Sequence, residues 1–378
     1  MKILIITFTS GNNPGTLMQG LGVQTAMQKM YPNAQIDFLK FPDFKSNLGA
    51  SFGVRDKNSS LWQTFRQKAA SAYRLMKYNK LRKQLMTFTP AIDLFKYSKE
   101  DKAVLEQYDL VVIGSDTILE EAYGKDGKVG MNWMPLNVKK VYFAASASPA
   151  NFEPKEDLKK VAGDAVFIGM RDNLTINFLV NKLGIAKERI VKQPDPSYFL
   201  DIKDFKLSRK LAAKFKSGKK YALYDFNSNF PLRKELADAI RSVGYTVVAT
   251  AYNPYADICL DTIDAFEWAG VFPLVDVIVT ERFHDSVFGL RNGKPVIAVD
   301  WDPNRFSKGG DSKTLRILED YGMEKMHFNL CGKTDVSPIM ECLKNIETSF
   351  DRNLVTERNA EIQKNIYGIL EMIKHKLG

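Results

Sequence analysis

The chain has 378 residues, 45% of them hydrophobic and 11% aromatic, a length and composition suited to about two or three domains with sizeable cores. Three cysteines without metal-type spacing exclude a disulfide framework and point to a reducing compartment, while the formal net charge of +10 points to anionic partners. No stretch approaches the roughly 20 apolar residues that span a bilayer, so a cytoplasmic location is expected.

Met1-Lys2-Ile3-Leu4-Ile5-Ile6 is too short for a secretory leader and breaks at Gly11-Asn12-Asn13-Pro14-Gly15, so it reads as a first strand and turn. Thr16–Met27 carries a helical pattern, and Gln35–Leu39 alternates like a second strand. Between Arg55 and Lys83 there are nine Lys or Arg and one acid, Asp56, so this segment holds most of the excess charge. Leu61, Phe65, Ala69, Tyr73 and Met76 recur there at three- or four-residue steps. A basic helical insertion at about 55–90 is expected, with its apolar stripe toward the core and its basic face solvated. The concentrated charge at 55–83 also suits an anionic membrane surface or a lipid-linked phosphate, with Arg74, Lys77, Arg82 and Lys83 as contacts.

Strand and helix then alternate. Asp109–Asp116, Lys140–Ser148 and Ala165–Asp172 each read as a strand ending in small or polar residues, with Asp172 an N-cap for the next helix. A second series begins at Tyr221–Asp225 and continues through Tyr245–Ala249, Val275–Thr280 and Pro295–Asp300, with helical patterns at Pro231–Val243 and Ser312–Tyr321. Ile362, Ile366, Ile369, Leu370, Ile373 and Leu377 form a last amphipathic helix. The expected architecture is α/β: two Rossmann-like, doubly wound domains facing across a cleft, over residues 1–205 and 206–348, with a C-terminal helix at 349–378.

The strand Val275–Thr280 ends in Glu281-Arg282-Phe283-His284-Asp285, and a helix starts there. In open α/β sheets, ligands bind beyond the carboxyl ends of strands, where a helix N-terminus offers free N–H groups to anions. Arg282 and His284 can face one ligand together; the plainer reading pairs Arg282 with a nearby carboxylate and packs His284 in the turn. Asp285 and Glu281 flank the motif, as caps or ion-pair partners or, less simply, as groups orienting the imidazole or activating a hydroxyl. His327 and His375 read as packing or surface residues. No cluster has metal-ligand spacing, and neither a Walker loop nor a Gly-x-Gly-x-x-Gly turn follows the first strand.

Taken in order, these pieces resemble the polysaccharide pyruvyl transferase family over residues 1 to about 325. The resemblance is carried by the Asn/Gly turn with Leu17-Met18-Gln19, by Gly114-Ser115-Asp116, by Ala144-Ala145-Ser146, by Arg171-Asp172, by Asp195-Pro196, and by Arg282-Phe283-His284 with Gly293-Lys294-Pro295. It implies a fold like that of GT-B glycosyltransferases and transfer of a pyruvyl group from phosphoenolpyruvate to two hydroxyls of a sugar, giving a cyclic ketal and phosphate. No cofactor is implied beyond that donor substrate, and no metal. Carried over by position, Arg171 and Arg282 bind the donor, with Arg305, Lys308 or Lys313 completing the site, and His284 is the general acid. Its pKa is expected to fall beside the two arginines and to rise with bound dianion. Asn13, Ser115, Asp116 and Asp285 are acceptor-side candidates. The acceptor class is a surface-polysaccharide precursor, a glycan or lipid-linked oligosaccharide, reached by a protein peripheral to the inner membrane face.

Two other functions remain open: a nucleotide-sugar glycosyltransferase of the same shape, and a non-catalytic protein that binds glycan or membrane. Nucleic-acid binding is not expected, since RRM, KH and zinc-finger signatures are missing.

Overall fold

The computed structural model describes residues 1–41, 60–92, 98–120, 137–147, 154, 156, 159, 163–303 and 312–378. Arg55, Asp56, Ser148, Arg305 and Lys308 lie outside the described residues.

Two parallel sheets organise the chain. The first has seven strands: β1 (Lys2–Ile6), β2 (Gln35–Lys40), β3 (Thr87–Ala91), β4 (Leu110–Ile113), β5 (Lys139–Ala145), β6 (Phe167–Met170) and β7 (Ile190–Lys192), in the order β3-β2-β1-β4-β5-β6-β7. The second has six: β8 (Lys220–Asp225), β9 (Tyr245–Ala249), β10 (Ile258–Cys259), β11 (Val277–Thr280), β12 (Val296–Asp300) and β13 (His327–Asn329), in the order β10-β9-β8-β11-β12-β13. The inner strands are apolar except at an end residue because helices cover both faces, leaving no solvated side to alternate toward. Each sheet reverses its winding once, between β1 and β4 in the first and between β8 and β11 in the second. Two doubly wound α/β domains of GT-B-like architecture result, as the alternation of strand and helix implied.

The helices that position the cleft are α1 (Pro14–Met30), α2 (Leu61–Leu85), α3 (Asn173–Asn181), α4 (Arg233–Ser242), α5 (Ala265–Ala269), α6 (Phe283–Arg291), α7 (Lys313–Asp320) and α8 (Arg352–Leu377). Thirteen of the seventeen residues of α1 are buried, so it is enclosed on nearly all sides instead of burying a single stripe. It packs against the 196–199 turn, α5 of the second domain and α8. Gly22 permits that approach: a Cβ there would fall 2.2 Å from the Pro196 carbonyl oxygen. Asp172 caps α3 as expected, accepting from the Thr175 amide at 2.7 Å.

α2 corrects the sequence reading. Ser60 and Gln63 close a reciprocal capping box at its start, and it crosses from the first domain to the second. Arg74 is 5% exposed and donates to the Thr250 carbonyl at 2.7 Å; Lys77 pairs with Glu267 at 2.9 Å. Arg82 is buried and donates to the Gly11 carbonyl. The apolar stripe through Leu61, Phe65, Tyr73 and Met76 faces outward. The inversion has a physical cause: the arginine forks satisfy otherwise orphaned backbone carbonyls at the domain junction, where a leucine would leave them unpaired. Arg74, Lys77 and Arg82 are therefore spent inside the molecule and are not available to a membrane surface.

No described helix is long and apolar enough to cross a membrane. Among the described residues, no group of three or more His, Cys, Asp or Glu is placed to hold a metal ion.

Candidate active site

The winding reversals of the two sheets face each other across the cleft. From the second domain, β11 ends at Thr280 and α6 begins with Arg282 as its N-cap residue. The Arg282 amide donates to Thr280 Oγ1 at 3.0 Å, and Ser286 Oγ donates to the Arg282 carbonyl at 3.1 Å. This pins the turn so that Arg282, Phe283 and His284 point into the cleft as one unit. From the first domain, the start of α1 closes over them. Asn13 caps that helix, accepting from the Gly15 amide at 3.0 Å. Gly15 lies so close that a Cβ there would fall 2.1 Å from His284 Cγ, so only glycine lets the imidazole occupy its place.

A cavity of about 700 Å³ lies between the domains. Arg74, Arg282, His284, Asn13, Asn227 and Asp285 are among its walls, together with Gln67 and Ser71 of α2. His284 Nε2 is sealed from solvent and has no hydrogen-bond partner in the protein; Arg74 Nε is in the same state. Buried polar atoms are nearly always paired, and these two stand unpaired on residues of the cavity wall.

Behind the imidazole, away from the cavity, stands a group of charges. Arg171 donates to Asp195 at 3.4 Å, lies 4.0 Å from Asp116 and stacks under the Phe283 ring at 4.4 Å. Gln19 donates to Asp195 at 2.6 Å, and Thr16 to Asp116 at 3.1 Å. Burial opposes ionisation of both carboxylates but is outweighed by Arg171 and by His284 when protonated, which hold them below the usual range. The His284 pKa is lowered, chiefly by burial, with Asp195 and Asp116 opposing and Arg171 and Lys313 adding to the drop. The two-arginine expectation is thus corrected: desolvation dominates, and Lys313 stands with Arg171 among its leading causes.

Among the expected site residues, His284, Arg282, Asn13 and Asp285 meet at the cavity wall. Arg171, Asp116 and Lys313 form the charged layer behind His284, and Ser115 is fully buried, its carbonyl accepting from Thr7 at 3.2 Å. Neither flanking acid orients the imidazole. Glu281 accepts from the Asn227 amide at 2.7 Å and from the Trp301 indole. Asp285 lies 2.8 Å from Thr280 Oγ1, and its pKa is pushed up by burial and by the nearby Asp225 carboxylate. Arg282 stays charged, since nearby carboxylates, Asp225 foremost, outweigh its own burial. Sequence reasoning missed Arg74 as a cavity residue, and Gly15, Gln19 and Asp225 as supports. Asp225 carried a signal, being polar at the end of an apolar strand, and Gly15 and Gln19 fall within the Asn/Gly turn motif.

Residues 13–303, most of the chain, match the family model described as polysaccharide pyruvyl transferase. The chain belongs to the polysaccharide pyruvyl transferase family. No curated protein sequence matches this transferase significantly. Solved structures share its fold at low identity. UDP-GlcNAc 2-epimerase from Neisseria meningitidis bound to UDP-GlcNAc superposes with a TM-score of 0.56 at 10% identity, covering 100% of both chains. Anabaena Alr3699/HepE in complex with UDP gives 0.54 at 14% identity, over 100% of this chain and 99% of that one. Acinetobacter baumannii MurG gives 0.52 at 13% identity, over 99% and 100%. These likenesses establish the two-domain fold of the pyruvyl transferase; its chemistry rests on its own site.

Proposed function

We propose that this pyruvyl transferase takes its pyruvyl group from phosphoenolpyruvate and bridges two hydroxyls of a glycan-precursor sugar as a cyclic ketal. The observation that supports this most is the unpartnered His284 Nε2, sealed in the wall of a cavity that Arg74 and Arg282 also line. Phosphoenolpyruvate has a carboxylate and a phosphate on one small frame. Planar guanidinium forks suit both ends, because each gives paired, charge-assisted hydrogen bonds. Arg171, whose fork is held by Asp195 and Asp116, acts from behind by setting the field at the imidazole.

Burial keeps His284 neutral in the free site, and a bound dianion beside it restores the proton. Donor binding therefore arms the acid. His284 delivers its proton to C3 of the enol, converting methylene to methyl and leaving an oxocarbenium-like centre at C2. The first sugar hydroxyl bonds to C2 and returns its proton to the imidazole. His284 then protonates the departing phosphate, the C2–O bond to phosphorus breaks, and the second hydroxyl closes the ketal and gives up its proton in turn. Two hydroxyl protons end on the methyl group and the phosphate, so the cycle balances with one acid–base residue.

Thermal unfolding with phosphoenolpyruvate, and separately with UDP, tests the donor. A ligand at a hundred times its dissociation constant stabilises the native state by about 2.7 kcal/mol. A shift with phosphoenolpyruvate that is lost in Arg282→Ala supports the reading. A shift with UDP alone replaces it with nucleotide-sugar transfer, and no shift with either favours a non-catalytic protein.

A further inference from the structure

The outer face of α2 has no part in the site, yet it holds most of the large exposed apolar side chains among the described residues. Of the nine large hydrophobic side chains exposed among the described residues, six stand on this one helix: Leu61, Trp62, Phe65, Tyr73, Met76 and Leu85. Leu61, Trp62, Phe65 and Met76 are 80%, 72%, 63% and 60% exposed. At 100° per residue, Leu61, Phe65, Ala69, Tyr73 and Met76 fall with Lys68, Lys80 and Lys83 within an arc of about 140°. Exposed apolar side chains scattered singly are ordinary; a row of them along one helix marks a docking surface.

The charge of the helix identifies the partner. Its 25 residues include seven Lys or Arg and no acid. Arg74, Lys77 and Arg82 turn inward, whereas Lys68, Lys80 and Lys83 stay exposed beside the apolar row. An apolar ridge flanked by lysines fits the headgroup boundary of an anionic bilayer, where the rings and Met76 enter the acyl edge and the ammonium groups meet lipid phosphates. We infer that α2 docks the protein on an anionic membrane surface through Leu61, Phe65 and Met76, with Lys68, Lys80 and Lys83 as the charged contacts. The opposite face of the same helix supplies Gln67, Ser71 and Arg74 to the cavity, which thus lies one helix breadth from the bilayer. The docking stands independently of the reaction. Its consequence, delivery of a lipid-carried acceptor to the cavity, rests on the proposed function.

Co-sedimentation with vesicles, without donor or acceptor, tests it. Wild type is expected to bind phosphatidylglycerol-containing vesicles, more weakly as salt rises, and to leave pure phosphatidylcholine in the supernatant. A Phe65→Ser/Met76→Ser double variant and a Lys68→Ser/Lys80→Ser/Lys83→Ser triple variant should each lose at least about tenfold in binding. Both keep every cavity residue, and unchanged far-UV circular dichroism and unfolding midpoint establish that they fold. Emission from the exposed Trp62 should shift to shorter wavelength on anionic vesicles, a change missing in Trp62→Phe. Equal binding to both lipids, or binding unchanged in the variants, overturns the inference. So does wild-type dimerisation without vesicle binding that Phe65→Ser/Met76→Ser abolishes, because the face would then join two copies.

Discussion

Asp285 shows how much a single side chain depends on surroundings that no sequence window contains. Thr280 Oγ1 lies 3.0 Å from the Asp225 carbonyl and 2.8 Å from Asp285, and it accepts from the Arg282 amide. A hydroxyl has one proton, and a carbonyl can only accept. Both contacts are satisfied together when Asp285 is the protonated partner and donates to Thr280, which agrees with the upward push on its pKa from burial and Asp225. A raised folded pKa means the native state holds a proton that the unfolded chain releases once pH passes the ordinary carboxylate range near 4. That group's contribution is complete below the unfolded pKa and is lost as pH rises through the folded one. Asp285→Asn keeps the donor and never ionises. It should match wild type in urea unfolding at pH 4 and exceed it at pH 8 by about 1 kcal/mol or more. A variant less stable at both pH values would show that the carboxylate is ionised in the fold. The Arg-x-His motif was legible because it stands where an apolar strand stops. The role of Asp285 was not, since Asp225, the carboxylate that raises its pKa, lies on another strand.

At the scale of elements, the long strands and buried helices were readable from apolar runs and capping residues. β7, β10 and β13 were not, because strands of two or three residues carry no period to count, and β3 was missed inside the stretch expected as a helical insertion at about 55–90, where α2 in fact links β2 to its neighbour β3. α2 was located but turned the wrong way. Its apolar spacing is real, and helices normally bury such a stripe; here the other face buries Arg74, Tyr78 and Arg82 instead. Lys29 and Tyr367, paired between α1 and α8, show the commoner arrangement in which charge stays at the rim. Arg74 reaches both the Thr250 carbonyl and the cavity, whereas Lys77, three residues on, ties the helix to Glu267 without lining the cavity. The two should therefore separate. Arg74→Ala removes a cation from the cavity wall and, on the proposed function, is expected to raise KM for phosphoenolpyruvate about tenfold to a hundredfold. Lys77→Ala should leave that KM within about twofold, since a part-exposed ion pair contributes little. Steady-state phosphate release would decide it, and equal effects of both substitutions would reduce Arg74 to a tie between domains.

The whole molecule is held together by contacts that run against chain order. α8 follows the second domain in sequence but returns to the first: Gln363 donates to the Tyr198 carbonyl at 3.3 Å, Lys139 to the carbonyl of Leu377, and Lys376 stands over the Phe167 ring at 5.6 Å. Helical spacing announced a buried face on α8; period alone cannot say which domain receives it. A firm link is Arg291 at the end of α6, the helix that begins with the Arg-x-His motif. It donates to the Ser197 and Leu200 carbonyls of the first domain at 2.7 and 2.9 Å and stacks on Tyr198 at 4.6 Å. Burial lowers its pKa, yet its fork bonds two carbonyls of one turn, joining the Leu200 amide at the Ser197 carbonyl. A helix that touches the cavity at one end and the opposite domain at the other keeps the His284 and Gly15 sides of the site in register. Arg291→Ala should cost about 3 kcal/mol through two lost charge-assisted bonds. Arg291→Lys should recover only part of that, because an ammonium cannot span both carbonyls in one plane. Differential scanning calorimetry should show one transition in wild type and, in Arg291→Ala, a lower midpoint with the two domains melting apart. A variant that still melts in one transition at the wild-type midpoint would place the coupling in the apolar contacts of α1 and α8 instead.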